Sequence, residues 1–190
     1  MKKTYAGGAM LCIVVLFFLT GCTTNMTQRL SDKLDTAALY KSYGVYPSDL
    51  SPRSKCNAPP TVRIINIETR IEDFKMLENG PFTGLVNPKE TMTAVGLYLK
   101  SGFERSHIRV DERSTKVLQI KMNDLKSIAG VWSFGSYFSM EVNIPDINFT
   151  NSFEAKDNAM LGDTAAAYAI HVVSRQVIED PVIQDYILCR

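Results

Sequence analysis

Histidine is nearly missing from this 190-residue chain. The two present, His107 and His171, form no His-x-x-x-His or Glu-x-x-His pairing, so a zinc hydrolase is not expected. Isolated cysteines and histidines also lack the spacing of a structural metal site. No Gly-x-Ser-x-Gly elbow and no phosphate-cradling glycine loop occurs. Glu68, Glu72 and Asp73 are interleaved with Arg70 and Lys75, which reads as a solvated face rather than an acid–base pair. The expectation is therefore no catalysis, no cofactor and no metal. The net charge is +1, without a basic block, so no nucleic-acid partner is expected. The longest apolar run, Met10 to Leu19, falls short of the roughly 20 residues that span a bilayer.

That run is nevertheless informative. Lys2 and Lys3 precede it, and Leu19-Thr20-Gly21-Cys22 closes it with small residues and a cysteine. A positive start, a short apolar core and a small-residue end predict an export signal over residues 1–21. Leu19 to Cys22 resembles the lipobox of bacterial lipoproteins. The resemblance implies that Cys22 carries a diacylglyceryl group and becomes the first residue after cleavage. Two or more acyl chains hold a protein stably at a membrane, whereas one is marginal. Thr23, where an Asp would favour the inner membrane in such proteins, implies the periplasmic face of the outer membrane. An ordinary secretory signal with an incidental cysteine is the alternative.

The four cysteines sort by position. Cys12 belongs to the signal and Cys22 to the lipid. Cys56 and Cys189 remain in a compartment where disulfides persist, and a Cys56–Cys189 bridge is expected. Closing so long a loop stabilises by roughly 4–5 kcal/mol in the chain-entropy view. Two separate thiols are the alternative. Without Lys2 and Lys3 the chain carries 19 basic and 20 acidic side chains, an unremarkable balance.

Residues 22–60 look like a tether. Serines and asparagines are scattered through it, and Pro47, Pro52, Pro59 and Pro60 block regular structure near its end. One short helix fits Leu30, Leu34, Ala37, Ala38 and Tyr40, with Ser31 and Asp32 near its start, set to cover the edge of a core or, alternatively, to lie near the membrane. A single domain is expected over residues 61–190. Val62 to Ile67 predicts a strand. Residues 68–87 are indistinct apart from the turn signal Asn79-Gly80-Pro81, with Phe82, Leu85 and Val86 in a buried loop. Asn87-Pro88-Lys89-Glu90 predicts a helix start, with Met92, Val95, Leu99 and Phe103 on one stripe and Gly102 as its stop. His107 falls in the strand-like stretch beyond.

Leu118, Ile120 and Met122 then alternate with polar residues. From Trp132 to Ile144 the even positions are mostly apolar, a period of two that predicts one long half-buried strand. Pro145-Asp146 reads as a turn, and Ile147, Phe149, Phe153 and Ala155 alternate beyond it. Asp163 is the expected cap of a last helix striped by Ala166, Ala169, Ile170, Val173 and Val177. Arg175 and Glu179 lie four apart on its outer side. Pro181 ends or kinks it, with a further turn or two of helix to Leu188. The fold expected is two-layer α+β: an antiparallel sheet of about four strands against two helices, in the order β-α-β-β-β-α.

This order, the stripe ending at Gly102-Phe103, the Val117-Leu118-Gln119-Ile120 strand, the long hairpin and the closing helix together resemble the YajG-type outer-membrane lipoproteins, and more distantly LptE. The likeness covers roughly residues 88–190 and implies no catalytic residues. Two roles follow. One is a non-enzymatic accessory lipoprotein that docks an envelope protein partner through a sheet edge or polar face. The other is a carrier holding a lipid or glycan in a groove between sheet and helices, with Trp132, Phe134 and Phe138 as its lining. The same aromatics also suit a plain sheet–helix core.

Overall fold

The structure, a computed structural model, describes residues 22–34, 59–79 and 82–189. Residues 1–21, residues 35–58 of the expected tether with Cys56, and Gly80-Pro81, where a turn is expected, lie outside them. Among the described residues the strands are β1 (Cys22–Asn25), β2 (Thr61–Asn66), β3 (Phe74–Asn79), β4 (Phe82–Val86), β5 (Arg109–Val110), β6 (Val117–Ala129), β7 (Phe134–Ile144) and β8 (Phe149–Ala159). The helices are α1 (Thr27–Lys33), α2 (Pro88–Arg105), α3 (Gly162–Glu179) and α4 (Pro181–Leu188). No helix here is long and apolar enough to cross a membrane.

The expected class, α+β, holds, but the sheet is larger and mixed rather than four-stranded and antiparallel. Eight strands join in it. The β6–β7–β8 meander is antiparallel, as the short connections between its strands require. On its other side β6 is shared: its first half pairs parallel with β2 and its second half parallel with β3. The reason is connectivity. Helix α2 lies between β2 and β6, and a strand–helix–strand crossover returns the chain in the same direction. Residues 74–79 and 82–86, expected as an indistinct stretch and buried loop, form the antiparallel pair β3–β4, which extends the sheet.

The tether expected from Cys22 onward is folded in its first part. Strand β1 pairs parallel with β4 along its whole length, from Cys22 opposite Phe82 to Asn25 opposite Leu85. Met26 N–H donates to the Leu85 carbonyl at 2.7 Å, and Asn87 N–H donates to Thr27 Oγ1 at 2.8 Å. Leu30 and Leu34 are buried in the main core. Gly84 lets β1 and α1 approach: a Cβ there would stand 2.2 Å from the Met26 sulfur.

The two striped helices are as the periodicity predicts. Met92, Val95, Leu99 and Phe103 on α2 are wholly buried, as are Ala166, Ala169, Ile170, Val173 and Val177 on α3. Asn87 caps α2, its Oδ1 accepting from Glu90 N–H at 3.1 Å. Gly102 does not stop it. The helix runs on to Arg105, and the reversal falls at His107, at φ 59° in a turn and not in a strand. Helix α3 starts one residue before Asp163, with Leu161 as its cap residue; Asp163 sits buried in the first turn, where a carboxylate suits the helix dipole. Pro181 both follows α3 and opens α4, which Asp180 caps through Val182 and Ile183 N–H. Ile147 belongs to a 3-10 turn (Pro145–Ile147) and is half exposed, so β8 begins at Phe149.

One irregularity keeps the core continuous. Met122 faces Met140, yet the next pair is Asp124 with Ser139, so Asn123 is an extra residue on β6. Before it the even residues Leu118, Ile120 and Met122 are buried; after it Leu125 and Ser127 are. The bulge shifts parity by one and holds the apolar side of both strands toward the helices.

Candidate functional site

Three regions carry the chemistry the sequence raised. The first is the end of the sheet where Cys22 stands. Strand β1 begins at this residue and is paired from its first position, so no linker separates Cys22 from the folded sheet.

The second is the meander. Helix α3 covers one of its faces, and the other presents polar side chains. Thr150 Oγ1 donates to Asn143 Oδ1 at 3.1 Å, and Asn143 Nδ2 donates to Gln119 Oε1 at 2.9 Å, a row crossing three strands. Tyr137 lies between Lys126 and Lys156, whose ammonium groups stand 4.7 and 5.8 Å from its ring centre. Its hydroxyl donates to Glu154 Oε2 at 2.6 Å, which pushes the phenol pKa upward. Strand β8 is the outer strand: among the described residues it pairs with β7 alone.

The aromatic row does not form one lining. Phe138 is wholly buried in the core. Phe134, the first residue of β7, is half-buried against Gly162. Trp132, expected to extend the strand, lies before it and is 89% exposed. Gly130 N–H donates to the Ser133 carbonyl at 2.7 Å. That bond closes the β6–β7 turn and turns Val131 and Trp132 outward, where strand alternation no longer applies. Phe134 lines an open groove of about 340 Å³ with Met26, Leu77, Leu161 and Asp163.

The third region was expected to be solvated. Glu68 is instead buried, at 2% exposure. Arg70 Nε donates to Glu68 Oε1 at 2.9 Å and Nη2 to Oε2 at 2.6 Å, while Arg70 N–H reaches Oε1 at 3.0 Å. These bonds, led by the Arg70 guanidinium, outweigh burial and bring the Glu68 pKa down to about 2. Nη2 of Arg70 also donates to the Met122 carbonyl beside the bulge. Arg70 lines a cavity of about 410 Å³ with Ile71, Glu72, Asp73, Phe74 and Pro88. The Glu-x-Arg spacing was the available signal, but nothing in it distinguishes a buried fork from a surface pair.

His171 is buried between α2 and α3, with Nδ1 2.5 Å from the Tyr98 hydroxyl. Burial first, then the charge of Arg175, lowers its pKa. The neutral ring and the phenol share this one hydrogen bond, whose direction follows the imidazole tautomer. Cys189 ends α4 in a left-handed conformation, with Lys116 Nζ donating toward its sulfur and to the Tyr186 and Ile187 carbonyls. Its expected partner, Cys56, is outside the described residues.

Compared with known proteins, the chain matches no family model, and no curated protein matches it.

Proposed function

We propose that this chain is a lipid-anchored, non-enzymatic accessory protein of the bacterial cell envelope, docking a protein partner at the periplasmic face of the outer membrane. The Leu19–Cys22 motif supports the anchor, and the pattern shared with YajG-type lipoproteins supports the setting. The observation that carries the docking role is β8. It is an outer strand of 11 residues, exposed at Thr150, Asn151, Ser152, Glu154, Lys156 and Asn158. An outer strand is a template for pairing, and its charged side chains restrict which strand is accepted.

The test is photo-crosslinking in cells from Ser152 and Asn158, with Lys100 on the outer side of α2 as control. The expected result is one discrete protein adduct from both β8 positions, none from Lys100, and its loss in Cys22→Ser. Equal adducts from all three positions, or none from β8, overturns the docking role. The carrier reading has one observation in its favour, the apolar groove beside Phe134. A stoichiometric lipid or glycan co-purifying with the protein, lost on Phe134→Asp, replaces docking with carriage.

A further inference from the structure

Among the described residues, five of the nine exposed large apolar side chains, Ile128, Val131, Trp132, Met160 and Leu161, lie on two adjoining corners of the fold. Register makes them neighbours: Ala129 is opposite Phe134, and Phe134 is opposite Ala159. The same end holds Cys22. It is opposite Phe82, Phe82 is opposite Asn79, and the preceding Glu78 is level with Ile128 in the parallel β3–β6 pair. The groove beside Phe134, which Thr24, Met26 and Leu161 share, joins β1 to this tip.

We infer that the tip formed by Val131, Trp132, Met160 and Leu161 is a membrane-contact site, seated in the interface of the bilayer that holds the lipid on Cys22. The inference rests on the reading of Cys22 as the lipidated residue. Three observations select a bilayer as the occupant. First, pairing from Cys22 onward leaves no slack, so an anchor on this residue brings the tip to the membrane surface. Second, no charged residue occurs between Lys126 and Glu141, or between Asp157 and Asp163, so the two segments that form the tip carry no charge into the interface. Third, tryptophan suits the headgroup boundary, with an apolar ring and one N–H to satisfy. Such a contact orients the sheet end-on, with the side of β8 away from β7 and the polar face of the meander directed into the periplasm. Exposed apolar corners of this kind mark interaction sites in soluble folds.

Trp132 is the single tryptophan of the chain, so its emission reports the tip directly. The full chain, purified from bacterial membranes, is reconstituted into phosphatidylcholine vesicles with or without brominated acyl chains. Mass spectrometry of the N-terminal peptide reads acylation in the same sample. The expected result is an acylated Cys22 and a Trp132 emission shifted to the blue, with roughly half its intensity lost to bromine, as for an interfacial indole. Val131→Asp combined with Met160→Asp, at positions 88% and 83% exposed, is expected to abolish the quenching while acylation and melting temperature stay unchanged. Unquenched Trp132 in an acylated chain overturns the tip contact and leaves the anchor standing. An unacylated chain overturns the anchor; quenching that persists in it upholds the tip, and quenching lost overturns both.

Discussion

Arg70 grips Glu68 with a two-toothed hydrogen bond, and the same guanidinium reaches the Met122 carbonyl on β6, 52 residues along the chain. The pair thereby pins the loop after β2 beside the bulge of the central strand. Removing one partner strands the other. Glu68→Gln is expected to cost on the order of 2–3 kcal/mol, read as a drop in denaturant midpoint. The folded-state pKa is depressed to about 2 from 4.5. The stabilisation is therefore complete above pH 4.5 and is lost as pH falls from there toward 2. Wild type and Glu68→Gln should converge in stability across that window; parallel curves would refute the assignment.

Tyr98 and His171 tie α2 to α3 through a buried hydrogen bond. Because burial lowers the histidine pKa, the folded state resists protonation and the unfolded chain does not. This contribution is full above the unfolded value of 6.5 and declines as pH drops below it. Melting temperature should fall between pH 7 and pH 5 in wild type, and the slope should flatten in His171→Asn. Tyr98→Phe is expected to cost about 1 kcal/mol or more at pH 7.5, since it removes this buried hydrogen bond.

Leu30 tests whether α1 belongs to the fold. It is 1% exposed within the core cluster. Leu30→Ala is expected to destabilise by about 2–4 kcal/mol, and amide exchange should speed up in β1 and β4 before the meander. A change of a few tenths of a kcal/mol would mean that residues 22–34 are a tether after all.

The Cys56–Cys189 bridge predicts a single cross-linked peptide pair on digestion without reductant. Reduction, or Cys189→Ser, is expected to lower stability by about 2–5 kcal/mol. Two alkylatable thiols in the untreated protein would refute it.

Much of the architecture was legible because local physics wrote it. The period-two pattern across Phe138, Met140, Val142 and Ile144 admits one burial arrangement, and all four are wholly buried. The stripes of α2 and α3 and the Asn87 cap are equally local. A short helix near Leu30 was visible, but α1 spans Thr27–Lys33, earlier than its spacing to Leu34 and beyond suggested, and its place against the sheet was not legible. Other signals misled because they are cues to a local choice that distant contacts settle. Gly102 permits a stop without requiring one. Trp132 continued the alternation on paper, but the turn bond from Gly130 to Ser133 had already ended the strand.

Sequence by itself determined the amphipathic elements, their order, and the Leu19–Cys22 motif, since each depends on neighbours a few residues away. Tertiary structure alone decided four matters: that β2 and β3 share the flank of β6, that Asn123 bulges, that Glu68 is enclosed, and that Trp132 stands at the same end as Cys22. Each brings together residues tens of positions apart. Such pairings are chosen by the total apolar surface buried and the backbone hydrogen bonds satisfied, quantities that no local window contains.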